Sequence, residues 1–304
     1  MDFSNGFGNG FGTGVYDSLV SPVQAMEFPE LLTYTDSRPH ILSADESFAV
    51  FGVDGKGEAV GVDLDDESPH ILVNAGTGGG KSVIARTILS QQVRKGSLGV
   101  VLDIKRHSHK WAQNNPSIGY AKTLPEIGNA LVELGRELHR RNEIVDLHDG
   151  PNETAPIGRR VIVVMEEMNA TLTQLRDLSR RLPKGSYTAL DAYFDLMLMG
   201  RAVKMHVVAV TQYADARVMG GVAMRENFGL RILAKYQKPS WTLLAWDAGL
   251  PLPCPPERGR GYSVNGGKAV QTQYLFLTEA EAATLASGGD PVALAPSVLP
   301  QIGQ

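Results

Sequence analysis

A glycine-rich segment that ends in lysine and serine carries the clearest chemistry in this sequence. It reads Ala75-Gly76-Thr77-Gly78-Gly79-Gly80-Lys81-Ser82. It lies between an apolar run and a predicted helix, so its backbone N–H groups and the positive end of the helix would face the same phosphates. Lys81 would reach the β- and γ-phosphates, and Ser82 would ligate Mg²⁺. The segment therefore predicts a phosphate-binding loop (P-loop), formed by residues 76–82, in preference to a glycine-rich turn with a chance Lys-Ser.

Two adjacent acids follow a second apolar run. Glu166 and Glu167 come directly after Val161–Met165. Carboxylates at a strand end beside a P-loop place negative charge where Mg²⁺ and the attacking water sit. We predict Glu166 as a Mg²⁺ ligand and Glu167 as the catalytic base; a solvated strand edge is the alternative. Aspartate is usual at the first position, and Glu166 is one methylene longer.

A polar pair, Thr211-Gln212, ends another apolar run. An amide side chain at this place either senses the γ-phosphate and orients water, or only caps the strand. The residues alone favour neither interpretation.

The elements that must position these groups are strands and helices in alternation. Continuous apolar runs of this length are typical of strands covered on both faces, and the alternation predicts an α/β fold with a mostly parallel sheet and helices on both faces. Two short runs around Gly55-Lys56-Gly57 predict a β-hairpin before the P-loop. The predicted strands are His70–Asn74, Gly99–Ile104, Val161–Met165, His206–Thr211 and Leu230–Tyr236, and the predicted helices are Ser82–Arg94, Leu124–Leu147, Leu172–Leu182 and Leu190–Val203.

Charge is distributed unevenly along the chain. The net charge is −4 over 304 residues, but residues 1–80 carry 13 acids against Arg38 and Lys56, which leaves an excess of seven positive charges in the rest. Residues 81–110 and the group Arg176, Arg180, Arg181 and Lys184 are two basic segments that could bind nucleic-acid phosphates. The absence of any long apolar run predicts no membrane segment, and the single cysteine is consistent with a reducing compartment. His107, His109 and His206 are interpreted as surface polar residues and not as metal ligands.

Several spaced segments, in the same order, resemble the motor domain of the FtsK/SpoIIIE family within the FtsK–HerA group of P-loop ATPases. PHILVNAGTGGGKS, VVLDIKR, ELHRRNEIV, GRAVKMHVVAVTQ and ENFGLRILAKY each resemble a family segment, and GRGYSVNGGKAVQTQYLFLTEAE resembles the closing hairpin. The resemblance runs from about Val50 to Glu281. Ala75 stands where the first P-loop glycine is usual, and Tyr213-Ala214 replace the usual Arg-Pro.

The resemblance implies a RecA-like fold and a homo-hexameric ring that moves double-stranded DNA at the expense of ATP, with Mg²⁺. It makes Gln212 the sensor of the γ-phosphate and places a family Asp/Lys pair at Asp103 and Lys105. An interface site also needs an arginine from the neighbouring subunit. Arg231 is the first candidate, ahead of Arg225 and Arg201.

Three functions remain open at this point. The first is a cytoplasmic DNA translocase of a phage, plasmid or integrative element. The second is a protein-moving ATPase like those of type VII secretion, and the third is a nucleotide-binding assembly module with weak or no hydrolysis, suggested by Glu166 and the missing Arg-Pro. The predicted organisation is a flexible Gly/Asn-rich acidic leader (1–40), a motor domain (41–285) and a flexible tail (286–304).

Overall fold

An eleven-stranded sheet lies at the centre of the protein. The structure, a computed structural model, describes residues 28–65 and 70–291. From one edge to the other the strands follow the order β3-β2-β11-β10-β9-β4-β8-β7-β5-β6, and β1 pairs with β11 outside this path. The strands are β1 Leu32–Thr33, β2 Phe48–Val53, β3 Ala59–Asp63, β4 His70–Ala75, β5 Leu98–Leu102, β6 Ile118–Ala121, β7 Val161–Met165, β8 Met205–Thr211, β9 Phe228–Ala234, β10 Arg260–Asn265 and β11 Lys268–Phe276.

The half of the sheet from β9 to β6 is parallel throughout. Its central strands β4, β7 and β8 are buried along their whole length, as continuous apolar strands require. In the pairing register Asn74 lies opposite Thr211, and Met165 lies opposite both Ala209 and Leu102. The carboxyl ends of β4, β8, β7 and β5 therefore meet at one edge of the sheet, which is where α/β proteins bind their ligands. The predicted mostly parallel α/β fold is confirmed.

The other half of the sheet is antiparallel. β2 and β3 form the hairpin that the sequence predicts before the P-loop, and β10 and β11 form the closing hairpin. β10 pairs with β9 and β11 pairs with β2, so the two hairpins extend the parallel half in one continuous sheet.

Helices cover both faces of the sheet. Residues of α1, α2 and α9 pack with Ile71 and Val73 of β4 on one face. Residues of α3, α4, α5 and α8 pack with Leu72 on the other, as alternation along a strand requires. Reciprocal Thr–Glu or Thr–Asp capping boxes begin α3, α5 and α9 and fix their start positions. The helices are α1 Tyr34–Ser43, α2 Lys81–Arg94, α3 Leu124–Asp146, α4 Met168–Ser179, α5 Ala189–Met199, α6 Ala216–Met219, α7 Val222–Glu226, α8 Lys238–Leu244 and α9 Glu279–Ala286.

The predicted boundaries differ from the structure where side chains or unusual dihedral angles end an element. β5 ends at Leu102, because the Asp103 carboxylate accepts the N–H of Lys105 and turns the chain. β9 ends at Ala234, because Lys235 adopts a left-handed conformation with φ 46°. The predicted helix Leu190–Val203 divides at Gly200 into α5 and a single 3₁₀ turn.

Residues 32–43, most of which the sequence assigns to a flexible leader, form β1 and α1. Leu32, Tyr34 and Ile41 are buried in the core. Arg38 is bound to Asp290 near the other end of the described chain. Regular structure is therefore present before residue 41. Residues 1–27 of the predicted leader and residues 292–304 of the predicted tail lie outside the described residues. Within residues 28–65 and 70–291, no helix is both long and apolar enough to cross a bilayer.

Candidate active site

The glycine-rich segment joins β4 to α2 as the sequence predicts. Gly80 precedes the first residue of α2 with φ 84°, a conformation that a residue with a Cβ rarely adopts. Lys81 Nζ donates to the carbonyl oxygens of Ala75 at 2.8 Å and Gly76 at 3.4 Å, so the ammonium group lies within the turn of the loop. The side chain is buried, and this burial lowers the pKa of Lys81. An ammonium held with so little water interacts strongly with a bound phosphate.

Lys235, at the end of β9, clamps the loop from the neighbouring strand. Its carbonyl oxygen accepts the N–H of Gly76 at 3.2 Å, and its Nζ donates to the Thr77 carbonyl at 2.7 Å. A Cβ on Gly76 would lie 2.8 Å from the Lys235 carbonyl oxygen, so only glycine fits there. No sequence motif points to Lys235. Its position follows from the pairing of β9 with β4, which the local sequence does not reveal.

A chain of contacts connects the P-loop to Glu167. Thr77 Oγ1 donates to Gln212 Oε1 at 3.4 Å, and Gln212 Nε2 donates to Glu167 Oε1 at 3.0 Å. Lys105 Nζ forms an ion pair with the same Glu167 oxygen at 2.5 Å. The predicted base and the predicted sensor are thus in direct contact. Of the two interpretations of Gln212, this contact favours the one in which the amide senses or orients.

Glu166 points into the protein and has a different environment. Its side chain is 1% exposed, and its Oε1 lies 2.8 Å from Nε2 of His109, which is completely buried. Its other oxygen, Oε2, is buried without a hydrogen-bond partner among the described residues. The interpretation of His109 as a surface residue is wrong, and so is that of His206, which is 1% exposed.

Ser82 and Glu166 fit the requirements of Mg²⁺. The ion prefers hard oxygen ligands and in phosphate sites is held by one or two side chains together with the phosphates. Ser82 supplies a hydroxyl in the first turn of α2. The unpartnered buried Oε2 of Glu166 is an oxygen that a cation or a cation-bound water would satisfy. No group of three His, Cys, Asp or Glu side chains in residues 28–65 and 70–291 forms a separate metal site.

One loop, residues 103–109 after β5, supplies a partner to each of the two acids. The Asp103 carboxylate accepts backbone N–H groups from Lys105, Arg106 and Ser108, as well as the Tyr120 hydroxyl at 2.6 Å. These bonds fold the loop so that Lys105 reaches Glu167 and His109 reaches Glu166. The role of Asp103 is therefore to organise the loop, because the partners of its carboxylate belong to the loop itself and to Tyr120.

Two cavities flank the P-loop. One of about 1180 Å³ is lined by Gly78 to Gly80 together with Phe28, Leu31 and Phe276. The other, of about 630 Å³, extends from Gly76 past Lys235 to the segment 254–260. Ligand pockets typically measure about 300–1,000 Å³, and the second cavity falls within this range.

Arg231, the first candidate for an arginine that reaches a neighbour's site, is buried in β9. It is 3% exposed, forms an ion pair with Asp247 at 2.7 Å and lies 4.4 Å from the centre of the Trp246 ring. Arg225 lies over the same ring at 4.0 Å. An arginine that acts in another subunit must reach solvent, and this placement of Arg231 is a correction to the sequence-based expectation. Arg201 is the exposed member of the three predicted candidates.

The two predicted basic segments differ in exposure. In residues 81–110, Arg86 is 7% exposed beside Glu279, and Lys95 donates to the carbonyls of Asp45 and Phe48. This segment is therefore largely committed to internal contacts. By contrast, Arg180, Arg181 and Lys184, which follow α4, are all exposed.

Sequence comparison finds no protein-family model and no curated protein that matches the chain. Comparison with solved structures does find matches. The pCW3 conjugation coupling protein TcpA, solved as a monomer with ATPγS, superposes with a TM-score of 0.68 at 21% identity, covering 84% of this chain and 72% of TcpA. The Thermomonospora curvata EccC ATPases 2 and 3, in complex with a signal sequence peptide, give a TM-score of 0.64 at 16% identity over 83% of this chain. The cytoplasmic domain of EssC gives 0.62 at 19% identity over the same share.

These matches show the fold. The chain shares the fold of TcpA, EccC and EssC, a mostly parallel α/β sheet with helices on both faces, in agreement with the fold that the sequence resemblance implies. It spans 44% of the EccC chain and 48% of the EssC chain, so it corresponds to part of each of these proteins.

Proposed function

We propose that this protein hydrolyses ATP at the P-loop site and couples hydrolysis to the movement of double-stranded DNA. The observation that carries the proposal is the chain of contacts from Thr77 through Gln212 to Glu167 and Lys105. It links a phosphate-binding loop to a carboxylate, and the linking residue is an amide that both groups contact. A turn that bound phosphate without hydrolysing it would not need this connection.

Each residue of the site has a distinct role in the proposal. The backbone N–H groups of Gly76 to Lys81 and the Lys81 ammonium bind the phosphates. Glu167 orients the attacking water and accepts its proton, while Gln212 reports the presence of the γ-phosphate to Glu167. Mg²⁺, held by Ser82 and by Glu166 directly or through water, would neutralise charge on the phosphate oxygens.

Assembly into a homo-hexamer belongs to the same proposal. Hydrolysis between subunits requires a positive group from the neighbour at the transferring phosphate. Because Arg231 is buried, we assign this role to Arg201, which is exposed. A cytoplasmic location, where ATP and DNA are both present, fits this function.

The exposed basic group after α4 supports DNA as the substrate. Arg180, Arg181 and Lys184 lie close together in the chain and are all exposed, and Arg180 pairs with Asp177 at 3.1 Å. The nearby Arg217 side chain on α6 is 91% exposed and pairs with Asp215 at 3.2 Å. A duplex is bound mainly through its phosphates, so a local cluster matters more than the net charge of −4.

Duplex-stimulated ATP hydrolysis tests this proposal. We expect duplex DNA to raise the ATPase rate of the wild-type protein. The triple variant Arg180→Ala, Arg181→Ala, Lys184→Ala should lose most of the stimulation and keep its basal rate. The slope of its DNA affinity against salt concentration should correspond to up to about three fewer phosphate contacts. Arg136→Ala with Arg140→Ala, on the exposed side of α3, is the matched control.

A protein-moving motor is the second candidate. The observation in its favour is the similarity to EccC and EssC, the former in complex with a signal sequence peptide. If the protein hydrolyses ATP, but DNA does not stimulate the rate and does not bind at low salt, the DNA proposal is ruled out and this candidate is favoured. Stimulation by DNA together with sensitivity to the triple variant would rule out the second candidate.

A further inference from the structure

His109 and Glu166 form a buried pair that neither the motif nor the fold explains. Their side chains are 0% and 1% exposed, and they meet at 2.8 Å although 57 positions separate them in the chain. Burying a carboxylate is costly unless it is hydrogen-bonded. His109 therefore stabilises the buried Glu166 carboxylate.

A second contact fixes the direction of this hydrogen bond. Trp111 Nε1, which can only donate, lies 3.3 Å from His109 Nδ1. Nδ1 must then be the acceptor, so the ring proton is on Nε2 and is donated to Glu166 Oε1. The three side chains form a one-way chain of donors from Trp111 through His109 to Glu166.

This series of hydrogen bonds leaves one oxygen of the Glu166 carboxylate without a partner among the described residues. Oε1 is occupied by His109, whereas Oε2 is buried and has no partner among the described residues. A glutamate has one more rotatable bond than an aspartate, and the hydrogen bond from His109 removes that freedom. Bonds from Asp103 to three backbone N–H groups hold the loop that carries His109, so the donor itself is well positioned.

We propose that His109 is a positioning residue that turns Glu166 so that Oε2 faces the Mg²⁺ of the bound nucleotide, with Trp111 setting the His109 tautomer. The proposal rests on the proposed ATPase function. Hydrogen-bond partners of this kind commonly change metal affinity by about 10–100-fold when they are removed. The motif alone marks the longer acid at position 166 only as a departure from the usual aspartate, whereas the His109 contact gives it a physical role.

Metal-dependent nucleotide binding tests this inference without relying on turnover. The affinity of the full-length protein for a fluorescent ATP analogue is measured in EDTA and across a Mg²⁺ titration. His109→Phe keeps an aromatic ring and removes the hydrogen-bond donor. We expect it to raise by about 10-fold the Mg²⁺ concentration at which half of the gain in nucleotide affinity is reached. The nucleotide affinity in EDTA should change less than about 2-fold. His109→Gln retains an N–H donor and should recover most of the loss.

His70→Phe is the matched control. His70 is also a 1% exposed histidine, but it lies at the first residue of β4, and its Nδ1 accepts the N–H of Val207 at 3.0 Å. We expect this variant to lower the melting temperature and to leave the Mg²⁺ dependence unchanged. An unaltered Mg²⁺ midpoint in a folded His109→Phe variant would overturn the inference.

A measurement on the wild-type protein covers the case in which His109→Phe does not fold. Imidazole ¹⁵N shifts in histidine-labelled protein, with the other six histidines as references, should show one buried ring protonated on Nε2 that responds to Mg²⁺ with ATP but not to ATP in EDTA. A His109 ring that is protonated on Nδ1, or that does not respond to Mg²⁺, would contradict the inference. His206 is a contrasting reference, because its Nε2 accepts from Arg160 at 2.7 Å and its own proton is therefore on Nδ1. If the wild-type protein binds no nucleotide in either condition, it is the proposed function that fails.

Discussion

Glu167 shows how a single backbone conformation separates two neighbouring acids. It adopts φ 46° and ψ 52°, the left-handed region, between β7 and α4. For a residue with a side chain this costs about 1–3 kcal/mol and is found where function requires it. The turn directs Glu166 into the core toward His109 and Glu167 toward Gln212 and Lys105. Two acids that are adjacent in sequence thereby obtain different environments and different proposed roles.

Lys105 is the residue whose removal should change catalysis most specifically. Its Nζ contacts Glu167 Oε1 at 2.5 Å, so it orients the carboxylate that we propose as the base. We expect Lys105→Ala to lower kcat by about 10-fold with less than about 3-fold change in KM for ATP, because the contact acts on the base and not on the bound phosphates. Steady-state ATPase kinetics measure both quantities.

Two further variants make the Lys105 test specific. Lys105→Arg keeps the charge and should recover part of the rate. Lys110→Ala removes an exposed lysine from the end of the same segment and should leave kcat unchanged. Equal rates in Lys105→Ala and the wild type would show that this ion pair has no part in hydrolysis.

At the scale of elements, local pattern and long-range pairing account for different parts of the molecule. The P-loop lies between β4 and α2 as predicted, because an apolar strand, consecutive glycines and a helix are all encoded within 25 residues. No sequence pattern predicts the four-residue strand β6, since its short, half-buried sequence carries little periodicity. Nor does any pattern predict the contacts of Lys105 and His109 with the acids. They depend on β5 lying beside β7, an order that no local sequence specifies.

β4 also contains a group that couples folding to pH. Burial lowers the pKa of His70 to about 4, against about 6.5 in an unfolded chain. Between these values the unfolded chain binds a proton that the folded protein does not, so stability is complete above pH 6.5 and falls as the pH falls toward 4. Between pH 7.5 and 5.0 this single group should lower the free energy of unfolding by about 2 kcal/mol.

Urea unfolding of the wild type and His70→Gln at both pH values isolates this contribution. The variant is expected to be less stable at pH 7.5 but to lose about 2 kcal/mol less than the wild type on acidification. An equal loss in the two proteins would show that His70 is not the group responsible.

At the scale of the whole molecule, the net charge of −4 hides two separate uses of positive charge. Lys81, Lys105 and Lys235 gather at the carboxyl ends of the parallel strands, where they contact the P-loop or Glu167. The exposed group after α4 is available to a second polyanion. Many of the remaining basic side chains hold the fold together, as Arg38 does with Asp290 and Arg141 does with the carbonyls of Val203 and Arg159. This division is what the function that we propose requires, because ATP and DNA would be its two phosphate ligands.

The ATPase rate of Glu167→Gln, measured together with ATP affinity, tests the central claim most directly. Glutamine keeps the shape of the side chain and its hydrogen bond with Gln212 while removing the carboxylate that would accept a proton. We predict ATP binding within about 3-fold of the wild type and hydrolysis reduced at least about 100-fold, the scale of a lost general base. Glu133→Gln, an exposed glutamate on α3, is the control and should hydrolyse ATP at the wild-type rate. Hydrolysis by Glu167→Gln at the wild-type rate would contradict the account.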